Sequence, residues 1–305
     1  VNDLAAYPFS VVVLPAIIAA LVACAVAVGP LRRRAAAVDG VIAFALMLAF
    51  VLSFTRELDW NAILRQCMTV AGDDAPFEKW HRIGLAAIVL ALLAPIISAL
   101  GARFMCTSCN GVTVGATVLA AALSAKFVVF PGSNGWWQIE QGLLVFAAMT
   151  AIAACAERAV LWSAWITFAM FAALALLGGF ASLAVMCAAV STASFLIALL
   201  TTLGARRDAS AVAIPSSGSI ALVLGTLGAI IANCGRAYDQ SGVPAWAWIA
   251  VAVLPAGSLL FGSKIKRAAT VQRATMWRVC GVFVGALLLG AVVAIAMNVT
   301  TTTTS

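Results

Sequence analysis

The side chains able to do chemistry in this chain are few, and their types narrow the options quickly. The one histidine, His81, closes the run Asp73-Asp74-Ala-Pro-Phe-Glu78-Lys-Trp-His81. Glu78 and His81 stand three apart at a helix start and could face one cation, with Asp74 as a further oxygen ligand. Di-iron bundles use this Glu-x-x-His element, but in two copies with additional glutamates. A single copy is better read as a solvated loop running into a helix N-terminus, where acidic residues are favoured. One histidine also cannot supply two axial ligands to a haem, a histidine-rich catalytic zinc site, or a serine–histidine pair away from the surface.

Eight cysteines are present, most of them scattered in apolar sequence where cysteine acts as a small hydrophobe. Cys106-Thr-Ser-Cys109 has the spacing of a dithiol or half a zinc knuckle, and is the candidate redox pair. It lacks both a thioredoxin-like context and two further ligands. Cys67 and Cys234 are expected at the outer face, where an oxidising compartment would permit a disulfide. No cofactor is implied. There is no phosphate-binding glycine loop, and Pro131-Gly-Ser-Asn-Gly135-Trp136-Trp137 reads as a loop with an interfacial aromatic pair.

Charged groups inside a membrane are functional candidates by default because burying them is costly. Lys126 is the clear case, about a turn below the outer end of an apolar run, and Glu140 at the start of the next run is its expected partner. No run carries an acidic residue at its middle, which argues against a proton relay. Uncharged polar groups are richer: Ser191, Thr192, Ser194, Thr201 and Thr202 lie in one run, Thr226 and Asn233 in the next. They could tie helices together, at about 0.6 kcal/mol per interhelical bond, or line a path for a small solute. Lys126, Glu140, Ser191, Thr192, Ser194 and Asn233 form the candidate substrate path.

The elements that would position these groups follow from composition. Of 305 residues, 64% are hydrophobic and only 10% charged, against about 25% charged in an ordinary soluble domain. Mean hydropathy is +1.10. Too little polar surface exists to coat a globule in water, which excludes a soluble enzyme fold and intrinsic disorder. The net charge of +7 is dispersed, with no basic run longer than Arg32-Arg33-Arg34, so it marks a membrane face and not a nucleic-acid site. A crossing helix needs about 20 apolar residues. Ten such stretches fit: 8–29, 35–54, 83–100, 112–130, 139–155, 160–177, 181–203, 218–233, 244–261 and 279–297. The expected fold is all-α, a polytopic helical bundle of about ten transmembrane helices with short loops, residues 1–305 forming one transmembrane domain.

Twelve of the 18 basic residues then fall on one side and five on the other, with Lys126 inside a span. The positive-inside rule places the richer side in the cytoplasm and both termini outside. The first span, with no positive charge before it, reads as a retained anchor. Tryptophans fall at expected boundaries, among them Trp80, Trp136, Trp137, Trp246 and Trp248 at the outer one. An outer segment at about 56–81 has helical apolar spacing and reads as an amphipathic connector lying at the interface. Gly111-x-x-x-Gly115 and Gly281-x-x-x-Gly285 allow close helix contact, within the chain in preference to between copies. Pro15, Pro95 and Pro255 should bend their spans.

Length and span count are similar to those of the drug/metabolite transporters, but that group keeps both ends in the cytoplasm, and no motif supports the resemblance; it is not adopted. The expectation is a plasma- or inner-membrane permease for a small neutral or lipid-like solute. The alternative is a non-catalytic subunit that assembles a membrane-protein partner or a homo-oligomer. Catalysis is disfavoured because no convergent acid, base, nucleophile or metal set can be assembled. The bilayer is the expected surrounding, and nucleic acid is not an expected partner.

Overall fold

The computed structural model describes residues 7–28, 35–57, 79–104, 118–124, 135–155, 159–207, 218–239 and 241–303. Among them the secondary structure is helical, with no strand. The helices are α1 (Leu14–Val28), α2 (Ala35–Glu57), α3 (Arg82–Phe104), α4 (118–124), α5 (Gly135–Ala153) and α6 (Ala159–Leu177). They continue as α7 (Ala181–Arg207), α8 (Gly218–Tyr238), α9 (Ala245–Val253), α10 (Gly262–Lys266) and α11 (Val271–Thr303). Among the described residues six helical segments are long and apolar enough to cross a membrane. They are Val38–Glu57, Ala159–Leu177, Ala181–Leu203, Gly218–Tyr238, Ala245–Lys266 and Val271–Asn298; Phe9–Ala25 and Arg82–Ser98 are shorter apolar helices. The chain is thus an all-helical protein of membrane-bundle character. Most of the expected outer amphipathic segment, 58–78, and most of the expected fourth span lie outside the described residues.

Several boundaries differ from the sequence reading, each for a local reason. Hydrogen bonding carries α2 three residues further than the apolar run, to Glu57, and α8 five residues further, to Tyr238. Helix α5 starts at Gly135, so Trp136 and Trp137 occupy its first turn and are not in a loop. Its polar start, Gln138 with Glu140 and Gln141, leaves a shorter apolar length than a full span. The expected ninth span is broken: α9 passes into a 3-10 turn at Leu254–Leu259, where Pro255 removes a helical N–H, and resumes as α10. Pro15 acts similarly on the first span, which opens with a π turn, Phe9–Val13, closed by Leu14 N–H donating to Phe9 O. The reversal between α6 and α7 falls at Gly178-Gly179 as expected. Gly179 takes φ +73°, and Phe180 N–H reaches back to Ala175 O at 2.7 Å, a glycine-dependent helix stop.

Contacts at helix ends fall into two groups. In one, Tyr7 before α1 meets Glu57 at the end of α2, which also meets Ser182 at the start of α7. Arg236 near the end of α8 meets Glu140 at the start of α5 in the same fashion. In the other group, Asp39 at the start of α2 meets Ser219 at the start of α8, and Arg278 in α11 meets Ala154 just past α5. Helices α1, α5 and α7 therefore run opposite to α2 and α8, with two distinct ends to the bundle.

Helix α8 is the centre. Every residue from Ser219 to Gly235 is buried, enclosed chiefly by α2, α3, α5, α6 and α9. Helix α11 is the opposite case. It docks through Val282 and Ala286 onto Ile166 and Leu254, while Phe283, Leu287, Leu288, Val292 and Ile295 are exposed. Its second GxxxG pattern is used inside the chain: a Cβ on Gly281 would fall on the carbonyl oxygen of Gly257, so only glycine permits the approach. The first pattern, at Gly111 and Gly115, lies outside the described residues.

Candidate functional site

Ser219, Thr226 and Asn233 recur at seven-residue intervals along α8. Seven residues are nearly two helical turns, so the three share one stripe about 21 Å long. All three are buried, and Thr226 Oγ1 and Asn233 Nδ2 have no hydrogen-bond partner. Orphaned polar atoms in a buried helix are unusual, because each forfeits its hydration without replacement.

A charged group stands at each end of the stripe. At one end, Asp39 Oδ2 accepts the Ser219 N–H at 3.1 Å and also the Ser219 hydroxyl. The carboxylate thereby caps the N-terminus of α8, where the helix dipole favours negative charge. Asp39 Oδ1 is buried without a partner. At the other end, Arg236 Nη1 donates to Glu140 Oε1 at 2.7 Å and lies 3.5 Å from Asn233 Oδ1. The guanidinium sits over the Trp137 ring, 4.7 Å from its centroid, a cation–π contact. Arg236 is 13% exposed against 42% for Glu140, so the pair opens to solvent on the carboxylate side. Arg236 Nε has no partner.

Among the expected path residues, Glu140 and Asn233 come together through Arg236. Ser191, Thr192 and Ser194 do not join them. Ser191 donates to Trp165 O at 2.9 Å, tying α7 to α6. Thr192 turns back on Ala188 O at 2.8 Å. Ser194 is wholly buried with its hydroxyl unpartnered. Lys126 lies outside the described residues; among the described residues Glu140 pairs with Arg236. Gln141 donates to Ser124 O at 2.9 Å, holding α4 against α5.

The metal candidates Asp74 and Glu78 and the redox candidates Cys106 and Cys109 lie outside the described residues. His81 ends a 3-10 turn at the start of α3 and packs at a tilt against Trp80, ring centroids 4.4 Å apart, within an aromatic cluster that includes Phe54 and Phe180. Among the described residues no three His, Cys, Asp or Glu side chains gather as a metal site. Cys234 is a free, buried thiol with Cys187 as a neighbour; Cys67 lies outside the described residues. Trp248 is 1% exposed and fills the core, in contrast to the interfacial position expected for it.

Asp39, Ser219 and Arg236 were not singled out by the sequence. Asp39 stands four residues beyond the start of an apolar run. Arg236 lies three residues past the apolar run that ends at Asn233. The seven-residue spacing of Ser219, Thr226 and Asn233 was the available signal. Comparison with protein-family models, curated proteins and solved structures finds no match for the chain.

Proposed function

We propose that this protein is a permease-like carrier of the plasma or inner membrane, moving a small neutral or lipid-like solute along the polar stripe of α8. The carrying observation is the stripe itself: a wholly enclosed helix whose aligned Thr226 and Asn233 leave polar atoms unpartnered. A helix serving only as packing would be expected to satisfy such atoms or replace them with apolar ones. The Arg236–Glu140 pair then forms the mouth at one end of the stripe, and Asp39–Ser219 closes the other. In this reading ten helices span the bilayer with both termini outside. The antiparallel helix ends support that alternation, and the basic residues supply its direction. The Asp39 end of the bundle is then cytoplasmic.

A second reading, a non-catalytic subunit of a membrane complex, is favoured by one observation. Helix α11 leaves Phe283, Leu287, Leu288, Val292 and Ile295 exposed along its length, a face that suits lipid or a partner helix. Native mass spectrometry of the protein extracted gently from its own membrane separates the two. A monomer or homodimer retaining a small molecule or lipid is the expected result. A stoichiometric second polypeptide would replace the carrier reading with the subunit one.

A further inference from the structure

Asp39 is the only buried acid among the described residues, 5% exposed. Its two oxygens are treated unequally. Oδ2 receives both donors of Ser219 at the N-terminus of α8, a helix of 21 residues, whereas Oδ1 is buried and receives none. A carboxylate oxygen within a membrane helix that lacks a donor is costly to keep charged. The described titratable side chains on the helices packed against α2 do not relieve it. They are Cys24 on α1, Arg82 on α3, Cys187 on α7, and Cys234, Arg236 and Tyr238 on α8. Arg82, Cys187, Cys234, Arg236 and Tyr238 all belong to the Glu57 half of the bundle, as do Arg56 and Glu57 on α2 itself. Cys24 alone lies in the Asp39 half, and it is a neutral thiol. Among the described residues no cation forms an ion pair with Asp39.

A proton is the ligand that such an oxygen can take without any cavity. We propose that Asp39 Oδ1 is a proton-binding site, taking a proton from water at the Asp39 end of the bundle and returning it there. Hydronium gives up H⁺ to Oδ1 and leaves water, and no electrons change hands. Neutralisation removes the carboxylate charge that the N-terminus of α8 favours and weakens Oδ2 as an acceptor for Ser219. Proton binding therefore loosens the junction of α2 with α8 and couples to movement of the helix that carries the polar stripe. The coupling rests on the permease reading; the proton site does not.

The test is infrared titration of the purified full-length protein in lipid, between about pH 5 and pH 9, following the carbonyl stretch of a protonated carboxyl group. The expected result is a band that grows as pH falls, shifts in deuterium oxide, and is missing in Asp39→Asn but retained in Glu140→Gln. Ser219→Ala should move its midpoint, because it removes one of the two donors to Oδ2. A band absent throughout, or present and independent of pH, overturns the site. If Asp39→Asn fails to fold, an unmoved midpoint in Ser219→Ala overturns it equally. Thiol labelling of Thr226→Cys on either side of the midpoint reads the coupling: a change in rate is expected, and a constant rate overturns coupling alone. Failure of labelling at every pH with the band intact would count against the permease and not against the proton site.

Discussion

Arg236 Nη1 lies 2.7 Å from Glu140 Oε1, joining the end of α8 to the start of α5 across 96 residues of sequence. The same guanidinium covers the Trp137 ring and approaches Asn233, so one side chain organises the whole mouth. Because Glu140 is partly solvated, screening limits the strength of the pair. A double-mutant cycle of Arg236→Ala and Glu140→Gln, read by thermal unfolding in detergent, should give a coupling of about 0.5–1 kcal/mol. Arg236→Ala should cost more than Glu140→Gln, since it also removes the cation–π contact. Equal costs would show that the Trp137 contact contributes nothing.

The hydroxyls of α7 differ in what they satisfy. Ser191 bonds Trp165 O across the helix pair, whereas Ser194 has no partner. Ser191→Ala should therefore destabilise by about 0.6 kcal/mol. Ser194→Ala should be neutral or stabilising, because an orphaned buried hydroxyl is removed. Thermal unfolding of the two variants side by side checks the ordering, and a larger loss at Ser194 would contradict it.

Gly281 and Gly285 lie on one face of α11 but meet different obstacles. A Cβ at Gly281 runs into the backbone of Gly257, whereas one at Gly285 meets only the flexible Leu254 side chain, at 3.2 Å. Gly281→Ala should cost about 1–3 kcal/mol through forced displacement of α11, and Gly285→Ala markedly less. Unfolding temperatures of the two variants give the comparison. Equal values would mean that α11 is not seated on the 3-10 turn as described.

At the Glu57 end of the bundle, the Tyr7 hydroxyl donates to Glu57 Oε2. That hydrogen bond, then partial burial and the Glu57 charge, push the Tyr7 phenol from 10.0 up to about 12. A raised value in the folded state means that the tie contributes fully below about pH 10 and is lost as pH rises toward 12. The chain has two tyrosines, so in Tyr238→Phe the tyrosinate absorbance belongs to Tyr7 alone. Half-titration near pH 12 is expected, returning toward 10 when Glu57→Gln is added. Half-titration near 10 without that change would show that the tie does not form.

The helices were readable because burying apolar runs in lipid leaves the backbone few other choices. Their ends were not. Asp39, Glu57 and Arg236 lie at or beyond the edges of apolar runs, where tertiary partners decide whether the helix continues. Pairing was less readable still. The partner described for Glu140 is Arg236, 96 residues away in sequence and brought by the antiparallel course of α5 and α8. Gly281 announced a close approach, but only the break at Pro255 reveals that it meets Gly257. The hydroxyls were visible as types; which were satisfied depended on neighbours that spacing alone does not specify.

The stripe of α8 is tested most directly by thiol accessibility in a cysteine-free background, with a membrane-impermeant reagent applied to the protein in lipid. Single cysteines would replace Thr226 on the stripe and Leu224 on the opposite face of the same buried helix. If the stripe lines a solute path, Thr226→Cys reacts and Leu224→Cys stays protected. If both stay protected from either side of the bilayer, α8 is a sealed core helix and the carrier reading fails.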